Sequence, residues 1–218
     1  MSKMFYKIFK RFFDIIFSVL LLILTFPLLL FVGFLVWIYD KGEIFVKDPL
    51  RLGFSRREFR MYKFRSMIPN AHQEILNNPK YSELKKKWSE NDGKLSMEED
   101  IRVTPLGKVL RKTDIDELPQ IINILKGDMS LVGPRPMYRL EIEKHLKQYP
   151  KDKEKISKIL TVRPGLTGVW QVSGRNDIKF KDRVKMDAKY VNNMNFILDL
   201  KVLLLTPWVV ITRKGAHE

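Results

Sequence analysis

The chain has 218 residues, with 40 Lys and Arg against 25 Asp and Glu, and a formal net charge of +15. This length suits one domain with a core large enough to fold alone. The charge predicts an anionic partner: nucleic acid, anionic lipid or a phosphorylated substrate. With no cysteine and three histidines, the chain excludes a thiolate nucleophile and a Cys-based zinc site. Any metal is predicted to be a hard ion such as Mg²⁺, held by carboxylates and phosphates.

An uncharged segment runs from Ile15 to Tyr39, and as a helix it is long enough to cross a hydrocarbon core of roughly 30 Å. Pro27 divides it into two halves, each reaching only about 18 Å, and proline favours a sharp bend. Basic residues flank the segment on both sides, which predicts that both flanks are cytoplasmic. Two alternatives stay open: a helix that spans the membrane, and a re-entrant helix that bends at Pro27 and returns to the same face.

The segment after the apolar run, residues 42–67, is predicted to form strand, turn and strand. Within it, Phe59–Arg65 alternates apolar and polar residues, which places Lys63 and Arg65 on one face of a strand. Such a face is most often simply solvated, but paired cations also suit a diphosphate.

Residues 69–100 are polar throughout and predict one or two solvated helices with a loop around residues 91–93. We expect this segment to be a surface insertion, with catalysis elsewhere.

Two helices are predicted next. The first covers Thr104 to Lys112, and the second runs from about Asp116 to Gly127, because Pro119 belongs in a first turn and Gly127 is a natural helix end. Apolar residues of the second helix recur at i, i+3, i+4 and i+7, which predicts a buried face. They are Leu118, Ile121, Ile122 and Leu125.

Asp116 and Glu117 are adjacent carboxylates at this predicted helix start. The simplest interpretation is structural, because Asp is a common helix cap and Glu is ordinary in a first turn. The alternative is catalytic. Helix N–H groups would keep Asp116 ionised, an ionised Asp can attack phosphorus, and Glu117 can hold Mg²⁺ against substrate phosphates.

Several arginines follow in segments that Gly and Pro hold rigid. Arg135 lies between two prolines, and residues 161–176 form a Gly-rich loop and strand that carries Arg163 and Arg175. Rigid arginines suit bidentate phosphate recognition. The chain has no GxxxxGK[ST] or GxGxxG pattern, so a P-loop or Rossmann phosphate site is not supported.

The last apolar segment, Phe196 to Thr212, contains Asp199, Lys201 and Pro207, which argue against a second span. It predicts either an interfacial amphipathic helix with its tryptophan at headgroup level or a terminal helix packed on the core.

In this order, the motifs resemble those of the bacterial monotopic phosphoglycosyl transferases, the sugar-transferase family that primes glycan assembly on polyprenyl phosphate. The resemblance covers nearly the whole chain, and the set is specific although each motif alone is weak. The matching stretches are Tyr62–Met67, Leu110–Thr113, Asp116–Gln120, Lys126–Ser130, Gly133–Pro136, Arg163–Gly168 and Gln171–Arg175.

The resemblance implies an α+β fold, with a basic N-terminus and a re-entrant helix-break-helix over residues 1–40. Residues 41–218 would form a small mixed α/β catalytic domain with interfacial amphipathic helices, on the cytoplasmic face of the bacterial inner membrane. The additional N-terminal membrane helices and soluble module of large family members are not in this sequence, so we expect a catalytic unit alone. A homodimer is left open.

The implied reaction has two steps and uses a UDP-sugar, polyprenyl phosphate and Mg²⁺. The family nucleophile falls on Asp116, which would attack the β-phosphate and release UMP, and the Mg²⁺-associated Glu falls on Glu117. Basic residues in the matching motifs would bind substrate phosphates. They are Lys63, Arg65, Arg111, Arg135, Arg163 and Arg175.

Gln171 and Asp187 are further candidate contacts to the nucleotide sugar under this resemblance. The helix break falls on Pro27, which follows Phe26 where the family often has Ser, so Thr25 is the nearest hydroxyl that would cap a freed carbonyl. The motif ending in Arg175 favours a hexose over an N-acetylated sugar.

The competing class is a non-enzymatic, membrane-anchored basic adaptor for anionic lipid or nucleic acid, in which the acid pair is only a cap. We expect no nucleic acid partner, because no nucleic-acid motif and no basic stripe with interleaved aromatics is present. Release of UMP from UDP-sugars separates the two classes.

Overall fold

The computed structural model describes residues 3–40, 43–46, 49–90, 95, 99–213 and 215; the loop predicted at residues 91–93 lies outside them. The structure is mainly helical, with two small sheets. The helices are α1 (Lys3–Tyr39), α2 (Ala71–Asn77), α3 (Ser82–Glu90), α4 (Pro105–Lys112), α5 (Gln120–Lys126), α6 (Arg139–Gln148), α7 (Lys153–Ile159), α8 (Val169–Ser173), α9 (Phe180–Asn193) and α10 (Phe196–Thr212). The strands are β1 (Arg51–Leu52), β2 (Glu58–Phe59), β3 (Ser130–Val132) and β4 (Gly165–Thr167).

Helix α1 is 37 residues long and contains Pro27 without a break in the helix. Within the described residues, its segment from Phe5 to Tyr39 is the one helix long and apolar enough to cross a membrane. The Thr25 hydroxyl donates to the Leu21 carbonyl at 2.7 Å, whereas the carbonyl that a proline at 27 leaves free is that of Ile23. Thr25 therefore does not cap the freed group, and the helix break stays a prediction.

Both ends of α1 pack against the same domain. Near its start, Arg11 donates to the Ile124 carbonyl at 2.7 Å, and Asp14 accepts the Leu131 N–H at 3.1 Å. Near its end, Val36 is fully buried in a cluster with Phe64. The middle of the helix is exposed, so the apolar surface left outside the domain lies between two anchored ends.

The predicted strand over Phe59–Arg65 is wrong in its extent. Only Phe59 belongs to a strand, in the antiparallel pair β1–β2, and Phe64 makes a single bridge to Phe45. The reason is Asn123 of α5, whose side chain accepts the Tyr62 N–H and donates to the Arg60 carbonyl, both at 2.8 Å. A side chain thus replaces the partner strand there.

Helices α4 and α10 confirm their predicted ranges, and α2 and α3 confirm the helices predicted within residues 69–100. Helix α5 begins at Gln120, after the predicted start, and its fully buried apolar residues are Ile121 and Ile124. On α10, Asp199 and Val202 are buried while Ile197 and other apolar residues are exposed. This helix therefore packs on the core with one face and leaves an apolar face outside.

Strands β3 and β4 pair in parallel. The pairing places Gly133–Pro134 beside Pro164–Gly165. The approach requires glycine, because a Cβ on Gly165 would lie 2.1 Å from the Gly133 nitrogen. The Gly133 N–H donates to the Thr167 carbonyl at 2.9 Å, and the Gly165 N–H donates to the Pro134 carbonyl at 2.8 Å. The loop that carries Arg135 is held by this joint.

Candidate active site

The adjacent carboxylates lie on a 3-10 turn, Ile115–Glu117, that Asp114 begins in the left-handed conformation at φ 55°. The expectation that Asp116 caps α5 is therefore wrong, because the turn intervenes and α5 starts later. The Phe64 N–H donates to the Asp116 carbonyl at 2.9 Å. This bond fixes the acid turn against the segment that carries Lys63.

Lys63 bridges the two carboxylates. Its Nζ lies 2.8 Å from Asp116 Oδ2 and 3.2 Å from Glu117 Oε1. Arg135 approaches from the other side, with Nη2 3.7 Å from the same Glu117 oxygen. Asp116 is buried, whereas the Glu117 side chain is 20% exposed, so of the two carboxylates only that of Glu117 has substantial solvent exposure.

The two carboxylates differ in their electrostatics. Burial raises the pKa of Asp116 above its usual value, against the opposing charge of Lys63. Burial also acts on Glu117, but the charges of Lys63 and Arg135 outweigh it and lower the pKa of Glu117 to about 2. The sequence analysis expected helix N–H groups to keep Asp116 ionised, and this expectation is wrong, because Asp116 lies on the turn before α5. Lys63 is the main group that favours its charged form.

Arg135 belongs to a cluster that the sequence analysis found only in part. The guanidinium carbons of Arg135 and Arg183 each lie 5.3 Å from the centre of the Trp170 ring. Arg183 also donates to the Arg135 carbonyl at 2.8 Å, and its Nε lies 3.5 Å from Asp187 Oδ2. Sequence reasoning missed Arg183, although its i, i+4 spacing to Asp187 on one helix was a usable signal.

Arg51 is a second residue that sequence reasoning missed at the site. Its guanidinium stacks on the Tyr138 ring, 3.1 Å from the ring centre, and donates to the Tyr138 hydroxyl. Burial, with added repulsion from Arg135 and Arg183, lowers the pKa of Arg51 to about 10. It stays charged at neutral pH, so three cationic side chains gather around the Gly133–Pro136 segment.

Buried polar atoms without partners lie next to this arginine cluster. Trp170 Nε1 and both amide atoms of Gln171 are buried and have no hydrogen-bond partner. Such a group costs about 1–3 kcal/mol when left unpaired. Burial also raises the pKa of Asp187 to about 6. The two candidate sugar contacts, Gln171 and Asp187, therefore lie in a region that has polar groups to offer a ligand.

The segment predicted as a Gly-rich loop and strand, residues 161–176, contains strand β4, and residues 169–173 after that strand form the short helix α8. On a helix, Trp170 and Gln171 are both buried while Val169 and Val172 pack on the core around β3. An alternating strand would have placed Trp170 and Gln171 on opposite faces.

Two of the other predicted phosphate contacts, Arg111 and Arg175, lie near the acid turn. Arg111 donates to Ser66 Oγ at 2.9 Å and its charge reaches Asp116. Arg175 Nη2 lies 2.8 Å from Asp114 Oδ2, at the start of the acid turn.

Two of the predicted contacts have structural partners elsewhere. Arg65 donates to the Asp40 carbonyl after α1 at 2.6 Å, so it does not share one target with Lys63. Arg163 donates to the Gly127 carbonyl at 2.8 Å. Their predicted contacts with substrate phosphate stay predictions.

No group of three or more His, Asp or Glu side chains that would hold a metal occurs in the part of the chain that the structure describes. The fit of Mg²⁺ thus depends on the acid pair. Glu117 supplies an ionised, partly exposed carboxylate. Mg²⁺ is commonly bound by one or two carboxylates together with substrate phosphates and water, so these residues fit the ion.

Comparison with known proteins gave one family and several relatives. The family model described as bacterial sugar transferase matches residues 5–213. An undecaprenyl-phosphate galactose phosphotransferase of Salmonella typhimurium is 40% identical over 95% of this chain and 41% of its own length. An exopolysaccharide production protein, ExoY, of Sinorhizobium fredii is 40% identical over 95% of this chain and 88% of its own. A UDP-glucose:undecaprenyl-phosphate glucose-1-phosphate transferase of Klebsiella pneumoniae is 35% identical over 96% of this chain and 42% of its own.

Proposed function

The chain belongs to the bacterial sugar transferase family, and from that premise we propose that it transfers a sugar phosphate from a UDP-sugar to polyprenyl phosphate. The observation that carries the proposal is the acid pair bridged by Lys63 beside an arginine cluster. Two relatives carry names with undecaprenyl phosphate and galactose or glucose. These names also favour a hexose as the sugar. The product would be the first lipid-linked unit of a glycan such as an exopolysaccharide.

Asp116 is the proposed nucleophile. Its carboxylate oxygen attacks the β-phosphorus of the UDP-sugar, the bond to the α-phosphate oxygen breaks, and UMP leaves with the electron pair. An oxygen of polyprenyl phosphate then attacks the same phosphorus and releases the Asp116 carboxylate. The raised pKa of Asp116 supports this role, because a more basic carboxylate is a better nucleophile once Lys63 has favoured its ionised form.

Glu117 is the proposed Mg²⁺ ligand, together with the substrate's own phosphates. The ion would supply charge neutralisation at the diphosphate when bound. The pKa of Glu117, lowered to about 2, keeps its carboxylate ionised at neutral pH, and its contact with Arg135 orients the carboxylate toward the arginine cluster.

The arginine cluster is the proposed site for the nucleotide sugar. The backbone beside Arg135 is held by the joint between β3 and β4, and an arginine on a rigid segment suits recognition of a phosphate oxygen. The unpaired amide of Gln171 can donate to and accept from sugar or nucleotide groups, and the indole N–H of Trp170 can donate to them. This supports Gln171 and Asp187 as contacts of the bound substrate.

The contacts at both ends of α1 support the re-entrant arrangement over a simple span. Helix α1 contacts one domain at Arg11 and again at Val36, and such contacts support an arrangement with both ends on that domain's side of the membrane. Pro27 lies in the exposed middle between them. With basic flanks, that side is the cytoplasmic face of the inner membrane.

The deciding experiment is capture of the covalent intermediate. Purified protein given UDP-galactose or UDP-glucose with Mg²⁺, and no lipid acceptor, should carry a hexose phosphate on Asp116 by peptide mass spectrometry. Asp116→Asn should form no adduct and release no UMP. An adduct on another residue, or near-normal turnover by the variant, would refute the two-step mechanism, and an absence of any UMP release by the wild type would favour the adaptor.

Folding of the Asp116→Asn variant is checked by its melting temperature. A carboxyl group with a raised pKa contributes stability that is fully present below its ordinary pKa and is lost as the pH rises through the raised value. At neutral pH the ionised Asp116 thus costs stability, so the amide variant should melt no lower than the wild type. A lower melting temperature would mean that loss of activity reports misfolding.

A further inference from the structure

A second cationic site lies away from the acid pair, in a cavity of about 130 Å³ between the first turns of α1 and the segment before β4. Four basic side chains and one acid are among its lining residues. They are Lys7, Lys10, Arg11, Arg163 and Asp14. The volume is about four times the roughly 30 Å³ that a water molecule occupies in the liquid, so the cavity has room for a phosphate group.

The charges in this cavity are only partly neutralised. Lys10 Nζ lies 2.5 Å from Asp199 Oδ2, but Arg11 and Arg163 donate to neutral backbone carbonyls at the end of α5. Neither arginine, nor Lys7, makes an ion pair with a carboxylate among the residues that the structure describes. Asp14 hydrogen-bonds the Leu131 N–H. Three positive charges therefore converge with one carboxylate nearby, an arrangement that favours an anion.

The cavity lies beside the turns of α1 that come directly before the uncharged segment. Arg11 precedes Ile15, the first residue of the uncharged segment, by four residues, or about 6 Å of helix. On the same turns Ile8 and Phe12 are 65% and 61% exposed. Phe54 in the cavity wall is half-exposed as well. Basic groups beside exposed apolar side chains match a phosphate headgroup with its acyl chains alongside.

We propose that this cavity binds the phosphate of an anionic glycerophospholipid, separately from the reaction at Asp116. Lys63 and Arg135, the cations of the acid pair, are not among its lining residues. Binding would hold the start of α1 at headgroup level and keep the domain against the bilayer. The proposal also gives Arg163 a ligand other than the UDP-sugar.

The test is a titration of the full-length protein in a neutral detergent with phosphatidylglycerol, followed by native mass spectrometry. Lys7→Gln should weaken binding about fivefold, the factor that corresponds to roughly 1 kcal/mol per cation near a lipid surface, and leave UMP release in detergent unchanged. Lys147→Gln, which removes the same charge from an exposed position on α6, should bind as the wild type does. Equal losses in the two variants, or equal binding of phosphatidylcholine, would overturn the proposal.

Two further measurements distinguish a phospholipid headgroup from free phosphate and from polyprenyl phosphate. Inorganic phosphate at the lipid concentration should not displace phosphatidylglycerol, and displacement would mean that the cavity takes the free ion. Polyprenyl phosphate binding should be insensitive to Lys7→Gln, and a loss larger than that for phosphatidylglycerol would assign the cavity to the acceptor substrate.

A double variant, Lys7→Gln with Arg163→Gln, should bind phosphatidylglycerol about 25-fold more weakly than the wild type if the two charges act independently.

Discussion

Lys63 is the side chain on which both carboxylates of the site depend, because one ammonium lies within 3.2 Å of each. It opposes the burial that raises the pKa of Asp116, and it is the leading cause of the low pKa of Glu117. One lysine thus favours the charged form of the buried Asp116, the proposed nucleophile, and contacts Glu117, the proposed metal ligand.

The acid limb of the pH–rate profile should report this arrangement. As the pH falls, Asp116 becomes protonated and UMP release drops, at a higher pH than for an ordinary Asp because its pKa is raised. Lys63→Gln removes the charge that opposes the rise, so the limb should move to still higher pH, with turnover at the optimum reduced about 10²–10³-fold. Lys63→Arg, which keeps the charge, is the control. A limb in Lys63→Gln at the wild-type position would show that Lys63 does not set it.

Glu117 should determine the metal requirement. EDTA should abolish UMP release and Mg²⁺ should restore it, because the proposed ligands are one carboxylate and the substrate's phosphates. Glu117→Gln should require a higher Mg²⁺ concentration and lose most activity, measured as UMP release against Mg²⁺ concentration. Full activity in EDTA would exclude a metal role for this residue.

At the scale of elements, the joint between β3 and β4 holds the backbone segment that carries Arg135. Gly165→Ala would place a Cβ 2.1 Å from the Gly133 nitrogen, so the strands must separate, at a cost of about 1–3 kcal/mol. We expect a lower melting temperature and a raised KM for the UDP-sugar.

The matched control for this joint is Gly33→Ala in α1, where the new Cβ meets side chains at 3.7 Å, an ordinary contact. It should be neutral or stabilising by about 0.5–1 kcal/mol, since alanine favours a helix over glycine. Equal behaviour of the two variants would mean that the joint does not hold the arginine loop.

Sequence patterns predicted elements whose contacts are local, and failed where a distant side chain intervened. Helices α4 and α10 follow from apolar spacing and end signals, and their bounds are confirmed. The strand beyond Phe59 failed because Asn123 takes the backbone groups that a partner strand would have used. No local pattern shows that an amide 61 residues further along the chain will bind Tyr62.

Within the candidate site too, the sequence predicted residues that stand in local motifs and missed those that tertiary packing adds. Asp116, Glu117 and Arg135 stand in recognisable motifs, and the structure brings them together, because Lys63 bridges the two carboxylates and Arg135 approaches Glu117. Arg183 has no such motif and joins the site only because α9 packs against α8. Which arginine meets a phosphate and which holds a carbonyl depends on tertiary packing, and periodicity does not contain that information.

At the scale of the whole molecule, the basic charge and the apolar surface act together. Exposed apolar residues of α1 and α10, among them Leu24 and Trp208, would face lipid, while the arginine cluster would bind the soluble diphosphate of the proposed substrate. A reaction between a soluble nucleotide sugar and a lipid phosphate requires both surfaces on one side of the bilayer. The two anchored ends of α1 are consistent with that requirement.

Topology should therefore decide between the re-entrant helix and the span. The chain has no cysteine, so single Ser2→Cys and His217→Cys variants can be labelled with a membrane-impermeant maleimide in spheroplasts. Both should be protected until the membrane is opened, because both flanks of α1 are basic. Pro27→Leu removes the proline that favours a bend in an apolar segment of about 25 residues, which is long enough to cross, so part of the Ser2→Cys population should become labelled from outside. Pro207→Leu, the same change in α10, should leave the pattern unaltered. Labelling of Ser2→Cys from outside with Pro27 intact, while His217→Cys stays protected, would establish a span.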